Sequence, residues 1–121
     1  MAANRIETED YAGVTVVKLL DGSLLDAAAI DPVKNELYRL SEQEGRTKLV
    51  LDLSRVRQLS SQILGVFTSL NRKCRDAGGS MCLCGVRPEL MQMFTITGLN
   101  DVLDFHKNDA EALAAHGIHV A

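Results

Sequence analysis

Tryptophan is absent from this 121-residue chain, which carries 2 tyrosines and 3 phenylalanines. A stacking platform for nucleic-acid bases has little to be built from. Basic clusters are missing too: 13 Lys and Arg stand against 16 Asp and Glu, for a net charge of −3. Phosphate neutralisation needs grouped cations, so nucleic acid is excluded as the main partner. No apolar run reaches the ~18–20 residues of a membrane span, which argues against direct membrane insertion. Residues Met1 to Asp10 lack the apolar stretch of a secretory signal. The 3 cysteines are an odd number, too few and wrongly counted for a disulfide framework, and predict a reducing, cytoplasmic setting.

The usual chemical motifs are missing as well. There is no GxxxxGKS phosphate loop, no GxSxG nucleophile elbow and no HExxH pair. Cys82 and Cys84 are two apart on an expected strand and have no further ligands at zinc spacing, so they read as buried thiols. Cys74 reads as core. His106, His116 and His119 form no constellation and read as surface residues. No cofactor or metal is implied.

What remains is an ordinary globular composition, 46% apolar and 24% charged, at a length that predicts one domain over residues 1–121. Arg5 to Tyr11 reads as an edge strand, and Val14 to Leu20, rich in β-branched residues, as its hairpin partner after a turn at Ala12-Gly13. Asp21-Gly22 is a turn signal, and Leu24-Leu25 reads as a short strand or loop packed on the core. The first helix opens at Asp26 or at Asp31-Pro32, with Ile30, Val33, Leu37 and Leu40 on one face. Leu49 to Leu53 is an apolar run suited to a strand buried on both faces. A polar connection, Ser54 to Ser60, leads into a helix with Ile63, Phe67, Leu70 and Cys74 in one stripe. Ala77-Gly78-Gly79 stops it, and Met81 to Cys84 is a second buried, parallel strand. Pro88 opens a helix whose inward residues are Leu90, Met91 and Phe94, with Gly98 at its C-terminus. Met91 and Met93 otherwise offer an adaptable contact surface, although core packing is the commoner use. Val102 to Phe105 is a shorter strand, and Asn108 with Glu111 caps a last helix, Asp109 to Ala115. The alternation predicts an α/β fold: a mixed, mainly parallel sheet of about five strands, begun by an N-terminal hairpin, with about four helices packed on it.

One stretch carries a resemblance. The strand Leu49-Val50-Leu51-Asp52-Leu53, the phrase Leu59-Ser60-Ser61-Gln62-Ile63-Leu64-Gly65-Val66, the strand Gly79 to Cys84 and the segment Met93 to Leu99 together resemble a STAS domain of the bacterial anti-sigma-factor antagonist type. The family usually writes the serine phrase Asp-Ser-Ser/Ala-Gly-Leu-Gly. Here Ser60 stands for the aspartate and Ile63 for the first glycine, while Leu64 and Gly65 are kept. The resemblance implies a regulator of transcription, not an enzyme, working by partner switching. It implies phosphorylation of Ser61 by an ATPase-type anti-sigma factor that is also a serine kinase, with a serine phosphatase as a further partner. Ser60 is the second candidate acceptor. The implied contact face runs from Ser54 to Gly65 and includes Arg55, Arg57, Gln58, Ser60, Ser61, Gln62 and Gly65.

Two other readings stand beside it. The loss of the aspartate favours a STAS scaffold or transporter-associated subunit with no phosphorylation. A nucleophilic Ser61 lacks a base, since no histidine lies between Met1 and Phe105. The plain structural role for Ser60 or Ser61 is a helix N-cap, worth about 0.5–2 kcal/mol. An acceptor at a helix start would meet unpaired amides and the positive end of the macrodipole.

Overall fold

A computed structural model describes residues 5–118. The chain begins with β1 (Ile6–Tyr11) and β2 (Val14–Leu19), an antiparallel pair in which Ile6 faces Leu19 and Tyr11 faces Val14. Ala12 and Gly13 turn the chain between them, both at positive φ. After β3 (Ser23–Leu24) comes α1 (Ala27–Glu42), then β4 (Lys48–Asp52), β5 (Gln58–Leu59) and α2 (Ser61–Asp76). The chain continues through β6 (Ser80–Cys84), α3 (Pro88–Ile96), a 3₁₀ turn at Leu99–Asp101, β7 (Asp104–His106) and α4 (Asp109–Ala115).

Five strands form one sheet in the order β1-β2-β4-β6-β7, and all its pairings beyond the hairpin are parallel. This is the expected α/β architecture. The sheet is sandwiched unequally. Val17, Leu19, Leu49, Leu51, Met81 and Leu83 face one side, under α1, α2 and α3. Val14, Val16, Val50, Cys82 and Cys84 face the other, where Ala112 and Leu113 of α4 cover them. Strands buried on both faces explain the continuous apolar runs at Leu49–Leu51 and Met81–Cys84.

The helix starts follow local chemistry. Asp26, not Asp31, opens α1: its carboxylate accepts the Ala29 N–H at 3.1 Å. Pro32 therefore lies inside the helix. The carbonyl that loses its donor belongs to Ala28, an exposed residue, so the lost bond is not a buried one. Asn108 accepts from the Glu111 N–H at 2.9 Å, and Glu111 reaches back to the Lys107 N–H at 3.3 Å, one residue earlier than a standard capping box. At the end of α2, Gly78 N–H donates to the Arg75 carbonyl and Gly79 N–H to the Cys74 carbonyl, a Schellman closure with Gly78 at φ +83°. Gly79 is required for space: a Cβ there would lie 2.5 Å from the Thr47 carbonyl carbon.

Three expectations need correction. The connection Ser54–Ser60 is not featureless, because β5 pairs with β3 in parallel, Ser23 against Gln58 and Leu24 against Leu59. The last strand starts at Asp104 and not at Val102, since the Val102 and Leu103 N–H groups close the 3₁₀ turn Leu99–Asp101 by donating to the Leu99 carbonyl. Met91 is half-buried at the edge of the core, while Leu90 and Phe94 are buried as expected.

All three thiols are free and buried. Burial pushes Cys74 and Cys82 up to about 11, with Asp104 adding to the effect at Cys82. Cys84 rises to about 12, from burial first and then from Asp52 and Asp109. A thiol held protonated in the fold stabilises it fully below its ordinary value of 9.0 and loses that contribution as pH rises through the folded value. The denaturation midpoint is therefore expected to hold steady up to about pH 9 and then to fall, at up to about 1.4 kcal/mol per pH unit for each thiol. Cys84→Ala should make that fall shallower. A midpoint whose alkaline decline is the same in wild type and variant would contradict this.

Candidate functional site

The loop before α2 is held at each end and in the middle. Asp52, at the end of β4, accepts the Ser54 N–H at 2.9 Å. Gly85, at φ +69°, lies so close that a Cβ would sit 3.1 Å from the Ser54 Cβ and 3.2 Å from Asp52 Oδ1. Val56 is fully buried and anchors the middle of the loop, while its N–H donates to the Leu53 carbonyl at 2.9 Å. Arg57 and Gln58 both donate their N–H groups to the Gly22 carbonyl, at 2.8 and 3.1 Å. The Ser60 N–H donates to the Leu24 carbonyl at 3.0 Å. The β3 segment thus fixes where α2 begins.

The two serines sit differently. Ser60 takes the N-cap position, with extended backbone (φ −107°, ψ 166°), but its side chain makes no capping bond. Its Oγ is buried and has no hydrogen-bond partner. Ser61 is the first residue of α2 and is exposed. The serine that fills the cap position therefore does not deliver a cap's stabilisation, and the other presents its hydroxyl to solvent. Arg55, Arg57, Gln58, Gln62 and Gly65 are each exposed, and Ser60 is half-buried.

Electrostatically, the start of α2 is uncompensated. Its first turn holds no acidic residue, while Lys73 and Arg75 lie in its last turn. Cations at the C-terminus match the macrodipole, and the N-terminus is left with its positive end bare. Arg55 and Arg57 take part in none of the ion pairs among the described residues.

Elsewhere the chemistry is thin. A groove of about 430 Å³ runs along α3, lined by Pro88, Met91, Gln92, Thr95 and Ile96, with no titratable group. Among the described residues no cluster of His, Cys, Asp and Glu is placed to hold a metal ion. His106 is half-buried on β7, in register with Cys84 on the α4 side of the sheet, away from the core side that α2 covers. His116 is half-buried at the end of α4, and His119 lies outside the described residues. No described helix is long and apolar enough to cross a membrane.

The family model of the STAS domain matches residues 5–112. This chain belongs to the STAS family. The anti-sigma-B factor antagonist of Listeria monocytogenes is 31% identical to this STAS chain over 87 residues, 72% of the chain and 75% of that protein. Among solved structures, an anti-sigma factor antagonist from Mycobacterium paratuberculosis shares the fold with a TM-score of 0.79, at 24% identity over 91% of both chains. The phosphorylated form of the Bacillus cell fate determinant SpoIIAA shares it with a TM-score of 0.69, at 19% identity over 91% of this chain and 97% of that one.

Sequence reasoning missed the residues that build the STAS site from behind. The carbonyls of Gly22 and Leu24 and the close approach of Gly85 place the serine loop, yet none of them advertises a role. The Asp21-Gly22 turn signal was the one visible clue. A two-residue strand such as β3 or β5 has no periodicity to read.

Proposed function

We propose that this STAS domain is an anti-sigma factor antagonist that works by partner switching, with Ser61 as its phosphorylated residue. Unphosphorylated, it binds an anti-sigma factor that is also an ATPase-type serine kinase, through the face from Ser54 to Gly65. Binding frees the sigma factor. Phosphorylated, it lets go, and a serine phosphatase resets it. The domain, read as one unit over residues 1–121 in the cytoplasm, is a substrate and a competitor, not a catalyst.

The observation that carries this reading is the contrast between the two serines. Ser61 presents its hydroxyl on an exposed face, while the Ser60 Oγ is buried without a partner. A kinase reaches the first and not the second. A phosphoserine carries about −1.5 to −2 charges near neutral pH, and its oxygens would meet the free amides of the α2 start. The gain inside the domain is small, because the group remains solvated. The larger effect falls on whatever covers the face, where a doubly charged group must lose its water. The names of the relatives support the antagonist role, and the phosphorylated SpoIIAA shows that a domain of this fold carries the modification.

Co-elution with the anti-sigma kinase tests the switch. The unphosphorylated domain should run with the kinase on a sizing column in ADP, and the phosphorylated domain should run alone. Equal retention of both forms, or recovery with transporter ATPase subunits instead, would favour the scaffold role that the replacement of the aspartate by Ser60 allows.

A further inference from the structure

Asn71 is a polar side chain where the fold leaves almost no water. It is only 4% exposed, and its Oδ1 is buried with no hydrogen-bond partner among the described residues. Buried amide oxygens are ordinarily paired, because an unpaired one has given up water for nothing. Asn71 lies in the second half of α2 and forms part of the wall of a cleft of about 330 Å³. Thr68, Arg72 and Arg75 share its helix face, at spacings of three and four. Asp101 and Val102, at the end of the 3₁₀ turn, form the opposite wall. The Thr68 hydroxyl donates its proton to the Leu64 carbonyl at 2.9 Å, so its oxygen has only lone pairs to offer. Both inner groups therefore accept, and both need a donor.

The rim carries both signs of charge. Arg72, Arg75, Asp76 and Asp101 are exposed, and none belongs to an ion pair among the described residues. The two cations and two anions balance, so a ligand of one sign is attracted by one pair and repelled by the other. A small zwitterion meets the whole set. We propose that this cleft binds a free aliphatic α-amino acid. Its ammonium group donates to Asn71 Oδ1 with Asp101 across the cleft, and its carboxylate is received by Arg75 with Arg72 at the rim. A guanidinium suits a carboxylate because it offers two parallel N–H donors. The ammonium meets an acceptor already out of water, where a hydrogen bond is electrostatically stronger. Val102, 46% exposed at the same rim, gives the aliphatic side chain an apolar wall. Asn71 stands ten residues beyond Ser61, about 15 Å along the axis of α2, so the proposal does not rest on the reading of the serine face.

The probe is L-leucine, titrated calorimetrically into the full chain. One molecule should bind per chain at about 1 mM or tighter, a range that a ligand of this size reaches. Two fragments of the probe separate its charges: 4-methylpentanoate lacks the ammonium, and 3-methylbutylamine lacks the carboxylate. Each should bind at least about tenfold more weakly than leucine. Asn71→Leu removes the unpaired oxygen at similar volume, so it should weaken leucine binding at least about tenfold without lowering the thermal midpoint. Arg75→Gln, at an exposed position, should weaken binding comparably and leave the midpoint unchanged. Should Asn71→Leu fail to fold, Arg75→Gln and the two fragments decide the matter. No binding of leucine at about 10 mM, ten times the expected limit, would overturn the proposal. So would fragments that bind as well as leucine, or wild-type affinity in either folded variant.

Discussion

Replacing Ser61 with glutamate is expected to weaken binding to the anti-sigma partner about 10²- to 10³-fold while leaving the domain folded. The magnitude follows from the interface. A charge sealed in a dry contact without a counter-ion costs about 3–5 kcal/mol, and each 1.4 kcal/mol is about tenfold in affinity. Glutamate carries one charge where phosphoserine carries nearly two, so the variant understates the natural effect. In the free domain the sign reverses. Ser61 is the first residue of α2, and the first turn of that helix has no acidic residue. A carboxylate there stabilises the helix by about 0.3–1 kcal/mol through the macrodipole. The thermal midpoint of Ser61→Glu should thus stay level or rise slightly as affinity collapses. Ser61→Ala should keep affinity within a fewfold of wild type and refuse phosphate. Loss of affinity in both variants together, with a falling midpoint, would mean that Ser61 supports the fold and not the switch.

The second large effect is on stability. Phe67 is fully buried on the core face of α2, one helical turn from each of Ile63, Leu70 and Asn71. Phe67→Ala removes the largest side chain of that stripe and is expected to cost about 3–5 kcal/mol. Against a total of about 5–15 kcal/mol for a domain, that is a large share, and the thermal midpoint should drop by roughly 10–20 °C. Val102→Ala, at a half-exposed position, should stay within about 0.5 kcal/mol. Because α2 carries Ser61 at its first residue, Phe67→Ala should also reduce binding as the helix loosens, and lowering the temperature should restore part of it. A Phe67→Ala domain with wild-type stability would contradict the core described here.

The parts of this fold that were legible in the sequence are those with a period or a cap. Ile63, Phe67, Leu70 and Cys74 recur at helical spacing and are all fully buried. Leu49 to Leu51 and Met81 to Cys84 are apolar without alternation because helices cover both sides of the sheet. Asn108 and Glu111 announced α4 to the residue. The parts that stayed hidden depend on long-range partners. Asp26 and Asp31-Pro32 both offered helix starts; in the fold the Asp26 carboxylate caps the helix and Ile30, inside it, is buried in the core. The β3–β5 pairing joins residues 35 apart in two-residue strands, too short to show any pattern.

The site divides along the same line. The serine phrase falls at the start of α2, and Arg55, Arg57, Gln58, Gln62 and Gly65 are each exposed. Which serine faces solvent was not legible, because Ser60 and Ser61 are chemically alike and both suit a helix start. Backbone geometry separates them: the Ser60 N–H is tied to Leu24, which turns its hydroxyl inward, and the next residue turns out. The exposed Leu25 was hidden for a simpler reason. Beside Leu24 it reads as half of an apolar pair, and only coordinates show that one of the two is buried and the other half-exposed.

The most direct measurement is to locate the phosphate. After incubation with the anti-sigma kinase and ATP, trypsin releases Gln58 to Arg72 as one peptide, which holds both serines together with Thr68 and Ser69. Fragment masses should place a single added phosphate on Ser61, with Ser60→Ala still modified and Ser61→Ala unmodified. Phosphate on Ser60, or a modified Ser61→Ala chain, would contradict the account.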